Sequence, residues 1–301
     1  MFTRDCPVCQ TSSSETNLFL KRNIDPSRLS GYSFASRKSP EFMSYELVQC
    51  LRCDLVYASD APDHTTLAEA YHLSEFDSAE EADDAAIAYE TALVPMFEKL
   101  RGRQSALEIG TGTGIFLETL KAKGFEVAVG VEPSAAAIAA APSHRRAWIR
   151  EATFIESDFQ PASFDFICCF MTLEHVRNPG EVVSAAGRLL RPGGALALVT
   201  HDYRSPINRI LGKRSPIIDI EHMQLFSRKS IREVLTINSF ESIEIQSFKN
   251  SYSLSYWMRL LPIPMSIKNP FIKLFNIFGL GKIKVGMNVG NILTVAYRSL
   301  K

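Results

Sequence analysis

The stretch SALEIGTGTGIFLETLKAKG, Ser105 to Gly124, decides the fold. Its first five residues form a short apolar run around one acid, Glu108, and read as a strand. IFLETLKA places apolar residues at helical spacing and stops at Gly124. Between them Gly110, Gly112 and Gly114, separated by Thr111 and Thr113, permit a tight turn that lets a ligand approach the backbone. The helix start adds N–H groups without intrahelical partners. Strand, glycine turn and helix in that order make a nucleotide-binding context. A dinucleotide fingerprint needs glycine where this chain has Ile115, which weakens a nicotinamide or flavin reading.

The neighbouring segments repeat the pattern. FEVAVGVE (125–132) is a second strand, and PSAAAIAAAP (133–142) a helix that halts at Pro142. ATFIESD (152–158) reads as a third strand and FDFICCFM (164–171) as a fourth, near-continuously apolar as a strand buried on both faces should be. GEVVSAAGRLL (180–190) gives a helix broken at RPGG, and ALALVTHD (195–202) a fifth strand. Helix-like RKSIREVLTIN and strand-like ESIEIQSF and NILTVAYRSL follow. This alternation predicts a parallel sheet covered by helices. Glu132 ends the second strand twenty-two residues after Gly110, where a carboxylate can accept both hydroxyls of a ribose. Asp158 and Phe159 follow the third, a carboxylate and a ring suited to an adenine.

These features in sequence resemble the class I S-adenosylmethionine-dependent methyltransferases, in the subgroup that acts largely on small molecules. The resemblance rests on the ExGxGxG turn, the VEP of Val131–Pro133, the SDF of Ser157–Phe159, FDFICCFMTLEHVRNP (164–179) and LLRPGG (189–194). It continues through EHMQLFS (221–227) to the last strand. It implies a Rossmann-like seven-stranded sheet. It also implies that Glu108 and the turn Gly110, Thr111, Gly112 and Gly114 line the methionine part of the cofactor, that Glu132 and Pro133 meet the ribose, and that Asp158 and Phe159 meet the adenine. Phe170, Leu173 and the residues up to His175 would floor the transfer site.

Four of six cysteines lie in two C-x-x-C pairs, Cys6 with Cys9 and Cys50 with Cys53. Two-residue spacing lets both sulfurs of a pair reach one tetrahedral ion, and four thiolates favour structural zinc. Redox-active or iron–sulfur cysteines are the alternatives. The module resembles the N-terminal region of some sugar and natural-product methyltransferases. Cys168 and Cys169 sit in the apolar fourth strand and read as core. The chain thus divides into a zinc module (1–60), an acidic helical lid (61–102) and a methyltransferase domain (103–301) with substrate insertions at 203–220 and 252–284.

For a base that deprotonates a methyl acceptor, three histidines fall at strand ends or the first insertion: His175, His201 and His222. Glu221 and His222 rank first, since the resemblance places a similar pair at the catalytic edge of sugar C-methyltransferases. Tyr71 and His72 of the lid, with Tyr203, Tyr256 and Trp257 of the insertions, are candidate substrate contacts. The expected reaction is methyl transfer to an oxygen, nitrogen or carbon of a small molecule such as a sugar or secondary metabolite. The alternatives are an RNA or protein methyltransferase reading its target with the zinc module, or a binding protein that does not turn over.

Charge is balanced, with 33 Lys+Arg against 33 Asp+Glu, which argues against a general nucleic-acid binder. The zero conceals two patches: twelve acidic residues and one lysine from Asp54 to Leu100, and eight basic residues with no acid from Gln246 to Lys301. The aromatic, basic tail from Tyr252 to Lys284 admits a pocket wall, a homodimer face, a peripheral membrane contact or a nucleic-acid surface, in that order. The start MFTRDCPVCQ has no apolar leader core, so a cytoplasmic soluble protein is expected.

Overall fold

The computed structural model describes residues 4–35, 40–76, 79–261, 263 and 265–300. Strands β1 (Thr16–Leu20), β2 (Leu47–Cys50) and β3 (Val56–Ala58) come first, then helices α1 (His64–His72) and α2 (Ala79–Lys99). The glycine turn joins β4 (Ser105–Ile109) to α3 (Ile115–Ala122). β5 (Val127–Glu132), α4 (Ala135–Ala140), α5 (Ser143–Arg146), β6 (Ile149–Glu151) and β7 (Phe164–Phe170) follow, then α6 (Pro179–Leu189) and β8 (Leu190–His201). The remainder comprises α7 (Pro206–Leu211), β9 (Gln224–Leu225), α8 (Arg228–Ile237), β10 (Phe240–Ser247), β11 (Asn250–Ser253), α9 (Leu254–Leu260), α10 (Met265–Ile277), β12 (Lys284–Met287) and β13 (Asn291–Arg298).

Seven strands form the main sheet in the order β10-β13-β8-β7-β4-β5-β6. β4 pairs in parallel with both β5 and β7, whereas β13 runs antiparallel to β8 and β10. The chain therefore winds outward in opposite directions on the two sides of β4. A crevice opens at such a switch point, beyond the carboxyl ends of the strands.

Strand alternation builds a core on each face of this sheet. Leu107, Ile109, Ile167, Cys169, Leu196 and Leu198 point to one side, where α6 and α8 supply Val183, Leu189, Ile231 and Leu235. Ala106, Phe166, Cys168, Ala197 and Val199 point to the other, against Leu93, Met96 and Phe97 of α2 and Phe116, Leu117 and Leu120 of α3. Every residue of β7 is buried, as its apolar sequence predicts, and both Cys168 and Cys169 are core.

Two sequence expectations change. The third strand is β6 (Ile149–Glu151), not ATFIESD; residues 156–158 form a single turn of 3-10 helix. Helices α1 and α2 fall within the expected lid segment, yet the second half of α2 lies in the sheet core, so only its first half can act over a site. The N-terminal strands form an antiparallel sheet, β1-β2-β3, which β9 completes as a fourth strand from the other end of the chain. Its cysteines, with Val8, Leu55 and Tyr57, belong to the same buried cluster as Leu107 and Ile167 of the main sheet.

Candidate active site

A cavity of about 840 Å³ occupies the switch point, lined at its base by the ends of β4, β5, β7 and β8. Leu67 and Tyr71 of α1, Ala85 and Tyr89 of α2, and Tyr256 and Leu260 of α9 line its other walls.

At the base the three glycines take positive φ, with Gly110 at 76° and Gly112 at 55°. Gly110 has a second constraint: a Cβ there would lie 2.2 Å from the Thr172 hydroxyl oxygen, so only glycine lets the ends of β4 and β7 approach. Glu132 ties this turn to β5. Its carboxylate accepts the Gly112 N–H at 2.8 Å and the Ser134 N–H at 2.9 Å, one on each oxygen. Burial raises its pKa. Glu108, beneath the turn, accepts the Thr111 hydroxyl, and burial pushes its pKa up to about 8.

These residues fit S-adenosylmethionine. Each Glu132 oxygen keeps a second lone-pair direction for a ribose hydroxyl. The backbone at Gly112 has open space where a side chain would stand.

The opposite wall gathers the three histidines. The rings of His175 and His222 lie 4.9 Å apart and those of His201 and His222 5.5 Å apart, all lining the cavity with Glu221. His222 Nδ1 is 2.8 Å from the Ile217 carbonyl, which can only accept, so Nδ1 carries the proton and Nε2 is the basic nitrogen of the neutral ring. The Tyr71 hydroxyl lies 3.1 Å from His175 Nδ1 and 3.2 Å from the Glu221 carbonyl oxygen, tying α1 to both. Glu174, given no role of its own in the sequence analysis, is fully buried beneath them. It accepts the His201 N–H at 2.7 Å and stands 3.3 Å from His201 Nδ1, while its carbonyl accepts the Met223 N–H at 2.8 Å. A carboxylate inside the apolar run FMTLEHV was the signal for it.

Other expected contacts lie elsewhere. Asp158 is exposed and Phe159 packs on Phe154 and Phe164, outside the cavity. Because β6 ends at Glu151, the residues beside its carboxyl end are Thr153 and Phe154, and these line the cavity. Leu173 is core. Gly114 caps α3 without lining the cavity. His72 sits outside, its Nδ1 3.1 Å from the Pro133 carbonyl oxygen. Tyr203 donates to the Asp54 carbonyl at 3.0 Å, and Trp257 to the Val285 carbonyl at 2.8 Å; both are buried packing residues.

The four N-terminal sulfurs converge, all within 4.8 Å of one another and all buried. Cys6 and Cys53 Sγ lie 3.5 Å apart, as do those of Cys9 and Cys50. A tetrahedral zinc with bonds of about 2.3 Å needs sulfurs about 3.8 Å apart, close to this arrangement. Both pairs ride on the same turn: Gln10 and Asp54 have φ of 57° and 71°, and their N–H groups donate to the Cys6 and Cys50 carbonyls. Thiolates in such a set suit a soft, closed metal site.

Sheet order, glycine turn and ribose-type carboxylate together define a Rossmann-like α/β protein with a nucleotide-cofactor cavity. A methyltransferase domain family matches residues 81–245, over half of the chain, and the chain belongs to that family. Among curated proteins, it is 36% identical over 118 residues to a ubiquinone biosynthesis O-methyltransferase of Methylococcus capsulatus, covering 37% of this chain and 46% of that one. A protein of the same name from Serratia proteamaculans is 31% identical over 112 residues, covering 35% and 44%. The chain thus spans under half the length of these relatives. Its fold is similar to that of the YcgJ protein of Bacillus subtilis, with TM-score 0.51, 17% identity, and coverage of 69% of this chain and 98% of that one. A proposed methyltransferase of Bacillus halodurans gives TM-score 0.51 and 18% identity, covering 70% and 98%.

Proposed function

We propose that this protein transfers the methyl group of S-adenosylmethionine to a hydroxyl oxygen of a small molecule, with His222 as the base that takes the hydroxyl proton. The observation that carries this reading is the His222 Nδ1–Ile217 bond inside the cavity that also holds Gly112 and Glu132. With Nδ1 committed to that carbonyl, Nε2 is the nitrogen of the neutral ring that would take the proton.

Bound against the glycine turn, S-adenosylmethionine supplies an electrophilic methyl group on a sulfonium. The chain's own residues do the rest. Glu132 orients the ribose, Phe154 and Thr153 border the adenine, and Glu108 lies beneath the turn, where it accepts the Thr111 hydroxyl. His175, held by Tyr71, and His201, held by Glu174, fix the acceptor's hydroxyl beside His222. Much of the rate enhancement comes from alignment of two reactants in a walled cavity. The polar floor of three imidazoles, Asp219 and Glu221 suits an acceptor with several hydroxyls, as in a sugar or an oxygenated secondary metabolite. The names of the relatives in the ubiquinone series support oxygen as the acceptor atom. Structural zinc on Cys6, Cys9, Cys50 and Cys53 completes the reading; its closed four-sulfur set leaves no position for substrate.

The test is calorimetric titration of the purified protein with S-adenosylmethionine, followed by a methyl-transfer screen over sugars, phenols and amines. Saturable one-to-one binding with transfer to a hydroxyl is expected. No cofactor binding removes the proposal, and transfer to nitrogen or carbon alone removes its oxygen assignment.

A further inference from the structure

The C-terminal insertion carries an apolar surface that no described residue covers. Inside it, α9 turns Tyr256 and Leu260 toward the cavity. α10 then lies across the outside, seated by Ile272 and by Lys268, whose ammonium donates to the Arg259 carbonyl at 2.6 Å. Ile267, Phe271, Leu274 and Phe278 recur at i, i+4, i+7 and i+11, a single stripe of a 3.6-residue helix. They are 50%, 49%, 47% and 67% exposed, and Ile277 beside them is 79% exposed. Leu261, Leu280 and Ile283 extend the exposed area at its ends. Soluble monomers seldom present so many large apolar side chains in one place.

Charge selects the partner. From Gln246 to Lys301 there is no acidic residue, and Arg259, Lys273 and Lys282 lie close to the stripe in sequence. A second copy docked by two-fold symmetry would set these cations against their own equivalents, with no carboxylate in the segment to pair them. Two acids of α2 are paired within the chain, Asp84 with Lys284 and Glu90 with Lys123. Nucleic acid would want successive rings for stacking, and the stripe is largely aliphatic. An anionic bilayer meets both features at once, taking the stripe into the boundary between headgroups and acyl chains and the amines onto its phosphates.

We propose that α10 docks this protein on an anionic membrane surface, with Ile267, Phe271, Leu274 and Phe278 entering the interface and Arg259, Lys273 and Lys282 contacting lipid phosphates. The docking stands independently of the chemistry in the cavity. Its orientation places Leu260 and Leu261, consecutive residues at the cavity wall and the surface, toward the bilayer.

Flotation of the purified full chain with vesicles tests it, using phosphatidylcholine alone and phosphatidylcholine with about one-third phosphatidylglycerol. Protein should float with the anionic vesicles and leave them as salt rises. Phe271→Glu with Phe278→Glu should cut the bound fraction at least about tenfold, with thermal midpoint unchanged, because both positions face solvent. Lys273→Glu with Lys282→Glu should weaken binding to anionic vesicles about tenfold or more and leave binding to neutral ones alone. A wild-type chain that floats with neither vesicle overturns the proposal. So does a wild-type dimer that the Phe271→Glu/Phe278→Glu variant dissociates while neither form binds lipid, since the stripe would then belong to a second copy.

Discussion

His222 and Glu108 are two buried titratable side chains with opposite tasks. His222→Gln keeps a hydrogen-bonding amide near Ile217 yet cannot take up a proton at neutral pH, so kcat should fall about 10²- to 10³-fold while the affinity for S-adenosylmethionine stays within about twofold. An unchanged kcat would move the base to His175 or His201. Glu108 makes a stability prediction. Burial raises its pKa from about 4.5 to about 8, so the folded state retains a proton that the unfolded chain releases. Its contribution is full below pH 4.5 and declines as pH rises to about 8. Glu108→Gln, which keeps an acceptor for Thr111, should therefore raise the thermal midpoint by several degrees at pH 8.5 and hardly at all at pH 4.5. An equal gain at both pH values would locate the effect in packing. Glu108 and Glu132 were legible because each stands at a fixed offset from a glycine or a strand end, whereas His222 stood out only through the resemblance of its Glu-His pair. Asp158 and Phe159 were expected at the adenine for the same reason in reverse: β6 ends seven residues earlier than the expected strand, so Thr153 and Phe154 stand beside its end instead.

α2 shows what periodicity leaves open. Its first half is alanine-rich and its second carries larger apolar residues, and Tyr89 and Ala85 face the cavity whereas Leu93, Met96 and Phe97 fill the sheet core. Leu93→Ala should cost about 2–5 kcal/mol in denaturant unfolding with cofactor affinity unchanged, because Leu93 is fully buried away from the cavity. A loss of cofactor binding without a loss of stability would return the whole helix to the role of a lid. The parallel strands and their helices were readable because period-2 and period-3.6 patterns are local. β9 was not, since a two-residue strand is defined by its partner: Gln224 and Leu225 acquire it only against Tyr57 and Val56 of β3. The packing of Tyr203 and Trp257 depended likewise on residues 149 and 28 positions away, Asp54 and Val285.

Across the molecule, the opposed charges meet. Lys284 of the basic segment reaches Asp84 of the acidic one, and Lys99, the acidic segment's single lysine, reaches Glu244 of β10 at 2.9 Å, so α2 is joined to the C-terminal part of the chain. Such exposed pairs add little stability singly, and they orient the parts they join. The cysteine module is bound in far more strongly. Its sulfurs, Val8, Leu55 and Tyr57 share one apolar cluster with β4, β7 and α6, and β9 extends its sheet. A module buried in this way cannot lose its ligand set without exposing the face of the main sheet it covers. Removal of zinc by a chelator, or Cys50→Ser, should therefore shift a single thermal transition downward by roughly ten degrees or more instead of splitting it. The same treatment should weaken methyl transfer, because Glu174, whose carbonyl holds Met223 ahead of β9, also holds His201. A separate early transition, with the main one and the activity intact, would show the first sixty residues folding as an independent unit.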